Sequence, residues 1–237
     1  MKTETEQNMG NVNIARRSFL RYAGAATVVG ALAMQSCTKD NANDAVIEGG
    51  NNNGGSDITD IGSGDIGILN YAYALEQLEA AFYIQVVNSF SSEFTTDERA
   101  LFTDIRDHEV LHREFFKAAL GAKAIKGLTP DFSKIDFSKK TSVLGAAKAF
   151  EDLGVTAYDG IAFKIENADY LTLAGKIVSV EARHAALISN LITEGSFVDS
   201  DQVSATTGLN ISNTPTKVLA TANLFLKTKV SAKSFTF

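Results

Sequence analysis

The sequence predicts an all-α protein: an up-down-down-up four-helix bundle with one long crossover, plus a short C-terminal helix. Four long stretches carry apolar residues at helical spacing. The chain has only two prolines, and one of them lies in a long connection between the second and third stretches. With 237 residues and 45% hydrophobic content, the chain can bury one sizeable core.

The first two helices have recognisable ends. The first is predicted from about Asp65 to Phe90, with Asp65 as its N-cap. The second begins near Thr95, where Thr-Thr-Asp-Glu forms a capping box, and stops at Leu120 before Gly121.

The connection over residues 121–141 contains Pro130 and shows little periodicity. About twenty extended residues reach roughly 60 Å. A helix of about 26 residues is only about 40 Å long. The connection can therefore return to the end of the bundle where the second helix began, which makes it the long crossover. The helices that follow are predicted over 142–167 and 169–194, with Asp169 as an N-cap and Gly195 as a stop.

The residues before the bundle indicate export. Arg16-Arg17-Ser18-Phe19-Leu20 resembles a twin-arginine motif, and the apolar run over 22–34 is too short to span a bilayer as a helix. Residues 33–37 resemble a lipoprotein cleavage box, although Met34 stands where leucine is usual. Cys37 is the only cysteine, so lipidation is its predicted role. A plain secretory signal with an unrelated cysteine is the alternative.

These observations give a four-part organisation. Residues 1–37 are the signal peptide ending at the lipidated cysteine, and 38–64 are a flexible tether rich in Asn and Gly. Residues 65–194 are the bundle, and 195–237 are an extension that packs on it through a helix over 216–227. We expect a membrane-anchored lipoprotein on the periplasmic side.

Two Glu-x-x-His pairs, Glu109/His112 and Glu181/His184, carry the predicted chemistry. Residues three apart share one face of a helix, so each pair can bind one metal ion. At average composition, a histidine has a glutamate three residues before it with a chance of roughly 5%. Two such pairs among three histidines are therefore improbable by accident. His108 does not fit the ligand spacing, and we expect it at the surface or at the edge of the site.

The remaining ligands come from the first and third helices. Glu76 shares a helix face with Tyr73 and Tyr83, where a carboxylate is costly unless it is paired or bound to metal. Glu79, one turn further, is the rival ligand.

The two halves of the chain repeat this pattern. Glu76 and Tyr83 match Glu151 and Tyr158 at an offset of 75 residues, and the two Glu-x-x-His pairs match at an offset of 72. Core packing alone would not reproduce four polar positions in this order, so the repeat favours a shared metal site.

At these residues the chain resembles the ferritin-like superfamily, and it looks closest to its exported members with twin-arginine leaders. The resemblance implies that Glu109 and Glu181 bridge two metal ions, while Glu76, Glu151, His112 and His184 bind one ion each. It also implies that Tyr83 and Tyr158 lie beside the ligand carboxylates. The implied cofactors are two Fe or Mn ions, with Fe favoured.

Three functions are consistent with this pattern. The first is redox chemistry with O₂ or peroxide, of ferroxidase or of peroxidase and catalase type. The second is a non-enzymatic, envelope-anchored bundle for binding or stress protection. The third is a mononuclear or zinc-filled site that only stabilises the fold. A net charge of −6 without a basic stripe argues against a nucleic-acid partner. The expected partners are metal ions, O₂ or peroxide and the membrane, and a homodimer is one assembly open to the chain.

Overall fold

The structure, a computed structural model, describes residues 58–235. The predicted signal peptide, Cys37 and most of the predicted tether lie outside these residues. Four long helices form the main body, and a fifth short helix follows. Their bounds are α1 Gly64–Asn88, α2 Thr96–Leu120, α3 Lys140–Ile161, α4 Ala168–Ile192 and α5 Pro215–Ala222. The predicted all-α bundle with a short C-terminal helix is confirmed.

Connection lengths and two contacts fix the directions of the helices. The seven residues between α1 and α2 reach about 24 Å, less than the roughly 37 Å length of either helix, so the pair is antiparallel. The same argument holds for α3 and α4, which six residues join. Tyr83 of α1 contacts Glu151 of α3, and Glu76 of α1 contacts Tyr158 of α3, so α1 and α3 also run in opposite directions. The order is up-down-down-up.

Two predicted caps are wrong, and one is found as expected. Thr95 forms the predicted capping box at the start of α2. The cap of α4 is Asn167, whose side chain accepts the backbone N–H groups of Asp169 and Tyr170; this leaves Asp169 inside the helix. Asp65 also lies inside its helix, and its carboxylate accepts the N–H groups of residues 166 and 167. The helix α3 ends at Ile161, six residues before the predicted end, and a 3₁₀ turn over Ala162–Lys164 leads from it towards Asn167.

The crossover over residues 121–139 follows α1 along the outside of the bundle. The buried side chain of Asn70 donates to the carbonyl oxygen of Lys123 and accepts the N–H of Ile125. About two helical turns further along α1, Gln77 accepts the N–H of Leu128. Polar side chains of α1 therefore replace the hydrogen bonds that an extended segment would otherwise lack.

A small parallel pair of strands joins the two ends of the folded part. Strand β1, Ile58–Asp60, pairs with strand β2, Lys229–Ser231. The prediction that the flexible tether extends to residue 64 is therefore wrong at its end. It failed because three residues in a strand are too few to give a periodic pattern.

The C-terminal extension packs on the crossover and on α3. Lys227 donates its backbone N–H to Thr129 at 2.8 Å, and the ring of Phe225 meets that of Phe150. Before α5, the N–H of Asn213 donates to the carbonyl oxygen of Thr156 in α3. A Cβ atom at Gly160 would lie 1.9 Å from the carbonyl oxygen of Asn213, so this close approach requires glycine.

Burial is uneven among the helices. The helix α1 is buried on most of its surface, whereas α4 buries only one narrow face. Aromatic rings around Phe82 fill one end of the core. Within residues 58–235, no helix combines the length and the hydrophobicity that a membrane span requires.

Candidate metal centre

Six polar side chains meet in the middle of the bundle. The four glutamates, Glu76, Glu109, Glu151 and Glu181, have no exposed surface, and the two histidines, His112 and His184, are buried as well. They come from α1, α2, α3 and α4, and each lies on the inward stripe of its helix. The structure therefore brings together all six residues that the sequence pattern singled out as ligands.

The six residues form two overlapping groups that could each hold a metal ion. One group contains Glu76 and His112, the other contains Glu151 and His184, and both contain Glu109 and Glu181. Within a group, one ligand atom from each residue lies within 4.8 Å of the others. The two shared glutamates are thus placed between the two groups, where a carboxylate can offer one oxygen to each.

The distances around the two histidines repeat almost unchanged. The Nδ1 atom of His112 lies 2.8 Å from Glu181, 3.5 Å from Glu76 and 3.9 Å from Glu109. The Nδ1 atom of His184 lies 2.9 Å from Glu109, 3.4 Å from Glu151 and 3.7 Å from Glu181. Each histidine is therefore closest to the glutamate of the other Glu-x-x-His pair. The sequence repeat has become a local twofold arrangement.

The cluster passes a test for metal binding that does not depend on any family. Buried polar atoms normally have hydrogen-bond partners. Here both Nδ1 atoms and six carboxylate oxygens are buried without a properly oriented partner. Atoms that are close together yet not hydrogen-bonded point at a common centre, as ligands of a cation do. Carboxylate oxygens and imidazole nitrogens are donors that suit Fe and Mn.

Two tyrosines orient the outer glutamates, Glu76 and Glu151, each of which belongs to only one of the two groups. The hydroxyl group of Tyr83 donates to Oε1 of Glu151, and that of Tyr158 donates to Oε1 of Glu76, both at 2.5 Å. In each glutamate the other oxygen, Oε2, is left facing a histidine. Burial and the adjacent carboxylate raise the pKa of each tyrosine well above its usual value, so both remain hydrogen-bond donors.

The carboxylates are too crowded to be ionised together without a cation. Burial, followed by the charge of Glu181, raises the pKa of Glu109 well above its usual value. Burial raises the pKa of Glu151 to about 7. Burial also acts on Glu181, but the two imidazoles beside it outweigh that effect and lower its pKa to about 2. Facing carboxylates of this kind share a proton: one becomes a weaker acid so that the other can stay charged.

The histidines respond in the opposite sense. Burial alone would lower the pKa of His112, but Glu76 and Glu181 outweigh it and raise the pKa to about 11. Glu151 and Glu109 likewise raise the pKa of His184. Without a cation, the cluster therefore holds protons where the metal ligands should be bare. Metal ions would replace these protons, so binding should release them.

Glu79, the rival ligand, belongs to neither group. It is buried one turn along α1 from Glu76, and burial followed by the charge of Glu109 raises its pKa well above the usual value. A Cβ atom at Gly154 would lie 3.0 Å from its Oε1, so the missing side chain of Gly154 makes room for it. At the repeat offset of 75, Gly154 is the counterpart of Glu79. The twofold arrangement is broken here.

His108 contacts the site from outside. It is exposed, as expected, but its ring lies nearly parallel to that of His184, with an interplanar angle of 7° and ring centroids 5.2 Å apart. Its Nδ1 atom lies 2.9 Å from Nε2 of His184. The sequence does not predict this contact, because helix spacing shows which residues share a face and not which helix packs opposite them. The counterpart of His108 at the offset of 72 is Val180, so His112 has no equivalent histidine neighbour.

Comparison with known proteins agrees with this architecture. A comparison with curated proteins gave no match. The profile of the ferritin-like domain family matches residues 64–194, which span α1 to α4 and more than half of the chain. The chain belongs to the ferritin-like domain family.

Proposed function

We propose that this protein holds two Fe or Mn ions, with Fe favoured, and uses them for redox chemistry with O₂ or peroxide. One observation carries the proposal: two groups of carboxylate and imidazole ligands share Glu109 and Glu181. A site for one structural ion needs a single closed group. Two joined groups suit two ions held close together.

The side chains of the protein would hold and orient the metal ions and would not themselves be oxidised or reduced. Tyr83 and Tyr158 hold one oxygen of each outer glutamate, so the other oxygen keeps its orientation towards a histidine. His184 would bind through Nδ1 and donate its Nε2–H to His108, which fixes the ring. Complete burial of the four glutamates keeps bulk water away from the ligands. When bound, a pair of such ions supplies the two electrons that reduction of peroxide requires, or is itself oxidised by O₂.

Metal content per chain tests the proposal directly. We would purify the full chain without added metal and compare the wild type with Glu181→Ala, which removes a ligand shared by both groups. Close to two Fe or Mn per wild-type chain, with at least one ion lost in the variant, would support the dinuclear site. Lys176→Ala, at an exposed position on the same helix, is the matched control and should keep both ions.

A folded wild-type protein without Fe or Mn would refute this proposal. Zinc alone, or one ion per chain, would favour a site that stabilises the bundle. If two ions are present, anaerobic loading with Fe(II) followed by O₂ or peroxide, with optical detection of Fe(III), tests the redox function. Two bound ions that react with neither oxidant would favour the non-enzymatic role.

We also propose that the chain is exported and anchored to a membrane through Cys37. Support comes from the twin arginines at residues 16 and 17, the short apolar run and the single cysteine. Cys37→Ser should abolish incorporation of labelled fatty acid and release the protein from the membrane fraction. An unlabelled wild-type chain would favour the plain secretory signal.

A further inference from the structure

A separate apolar cavity lies inside the bundle, on one side of the metal centre. All four long helices line it, with Leu75 from α1, Phe116 from α2, Ala157 from α3 and Ala174 from α4. Its volume is about 40 Å³. A cavity needs roughly 10–15 Å³ to hold one water molecule, so this one has room for a diatomic gas but not for a long alkyl chain.

The lining makes the cavity a poor site for water. A buried water molecule usually makes about three hydrogen bonds to polar groups. The hydroxyl of Tyr158 already donates to Glu76, and the buried hydroxyl of Tyr71 has no partner among the described residues. The lining also includes the half-buried Tyr170, so at most two tyrosine hydroxyls face a guest, fewer than the three partners that a buried water molecule usually has. Apolar cavities of this kind stay dry and accept apolar guests.

The cavity lies between the surface of the bundle and the metal centre. Ala119 is exposed, and Ala174 and Leu173 are half-buried, so the outer rim of the cavity reaches solvent between α2 and α4. Its inner wall includes Tyr158, whose hydroxyl touches Glu76. A single tyrosine side chain therefore separates the cavity from a ligand of the site.

We propose that this cavity binds dioxygen and holds it beside the metal centre. The inference rests on the proposed redox function for its use, but gas binding itself needs no metal. The apolar lining favours O₂ over peroxide, since peroxide would lose its hydrogen bonds to water on entering, and the volume and position suit a diatomic molecule held beside the centre. The cavity would therefore raise the local concentration of O₂ and leave the access of peroxide unaffected.

Xenon is the probe for binding, because it is apolar, of similar size and visible in crystals of the metal-free full chain under pressure. We expect one xenon atom between Leu75, Phe116 and Ala157. Ala174→Leu and Ala119→Leu should lower xenon occupancy or affinity at least fivefold by filling the cavity or its rim. Ala118→Leu, also exposed and adjacent on α2 but outside the lining, should leave it unchanged. Ordered water in the cavity with no xenon would overturn the proposal.

The use of the cavity is tested in the Fe(II)-loaded protein by stopped flow. In Ala119→Leu, the O₂ concentration that gives half the maximal oxidation rate should rise at least threefold, while the rate with peroxide and the maximal rate with O₂ stay unchanged. Unaltered O₂ dependence despite lost xenon binding would overturn the proposed role. If wild-type Fe(II) reacts with neither oxidant, the redox function fails, whereas xenon bound in the cavity would still support gas binding.

Discussion

Replacing Tyr83 by phenylalanine removes one hydroxyl group from the centre of the bundle and changes little else. That hydroxyl donates to Glu151 at 2.5 Å, and both groups are buried. In the metal-free protein at pH 8, Glu151 is largely ionised, because its pKa is about 7. Tyr83→Phe then leaves a buried carboxylate oxygen without its donor.

The expected cost follows from the charge on the acceptor. A hydrogen bond to a charged group is worth about 1.5–3 kcal/mol, against about 1 kcal/mol for a neutral pair. For a domain of this size, each kcal/mol shifts the Tm by about 2–4 °C. We therefore expect the Tm of Tyr83→Phe to fall by about 3–12 °C at pH 8. At pH 5, where Glu151 is protonated, the hydrogen bond is neutral and the Tm should fall by only about 2–4 °C.

Thermal melting followed by circular dichroism measures both values, and the chain offers a matched control. Tyr71 is equally buried on the same helix, but its hydroxyl has no hydrogen-bond partner among the described residues. Tyr71→Phe should therefore leave the Tm unchanged or raise it slightly. Equal losses in Tyr83→Phe and Tyr71→Phe, or a loss in Tyr83→Phe that is the same at both pH values, would refute this account of the tyrosine.

Three further predictions concern the packing, the protons and the outer histidine. Gly160→Ala should lower the free energy of unfolding by about 2–3 kcal/mol, since the new methyl group meets the Asn213 carbonyl. Its control is Gly145→Ala on the same helix, where no atom lies within 4 Å, and this change should raise the free energy of unfolding by about 0.5–1 kcal/mol. Urea denaturation measures both values. The folded-state pKa of Glu151 lies above its ordinary value of 4.5, so its contribution to stability is complete below pH 4.5 and is lost as the pH rises through about 7. Melting curves of the metal-free protein should show this loss, and saturating Mn²⁺, which binds the deprotonated cluster, should abolish it. His108→Ala should leave the fold intact and weaken metal binding roughly 10- to 100-fold at one of two sites in a calorimetric titration; equal weakening at both sites would contradict this.

Much of the architecture followed from local signals. The capping box at Thr95 placed the start of α2, and the length of the crossover fixed the order of the helices. The ligand positions were identifiable because the chain repeats them at offsets of 75 and 72 residues. Core packing does not explain why polar residues repeat on an apolar stripe. The repeat therefore assigned six residues, distant in the chain, to one metal site.

The features that the sequence did not predict depend on contacts between distant segments of the chain. Asp65 satisfies all local criteria for an N-cap, yet its carboxylate binds the α3–α4 connection, which is remote in the chain. The strand β1 exists only because β2 lies beside it. Glu79 is buried because Gly154, on another helix, leaves space for its carboxylate. In each case the deciding partner lies far away in sequence and leaves no periodic trace.

The broken repeat has a consequence for how the centre fills. The two metal positions would share the same donor types, but only His184 is supported by a second histidine, and only α1 adds a further buried carboxylate. If the two halves were identical, both metal positions would have the same affinity. Here the additional histidine and the additional carboxylate make the two positions different. A first equivalent of metal should therefore occupy one position selectively, and a second, different metal could then complete a heterobimetallic pair.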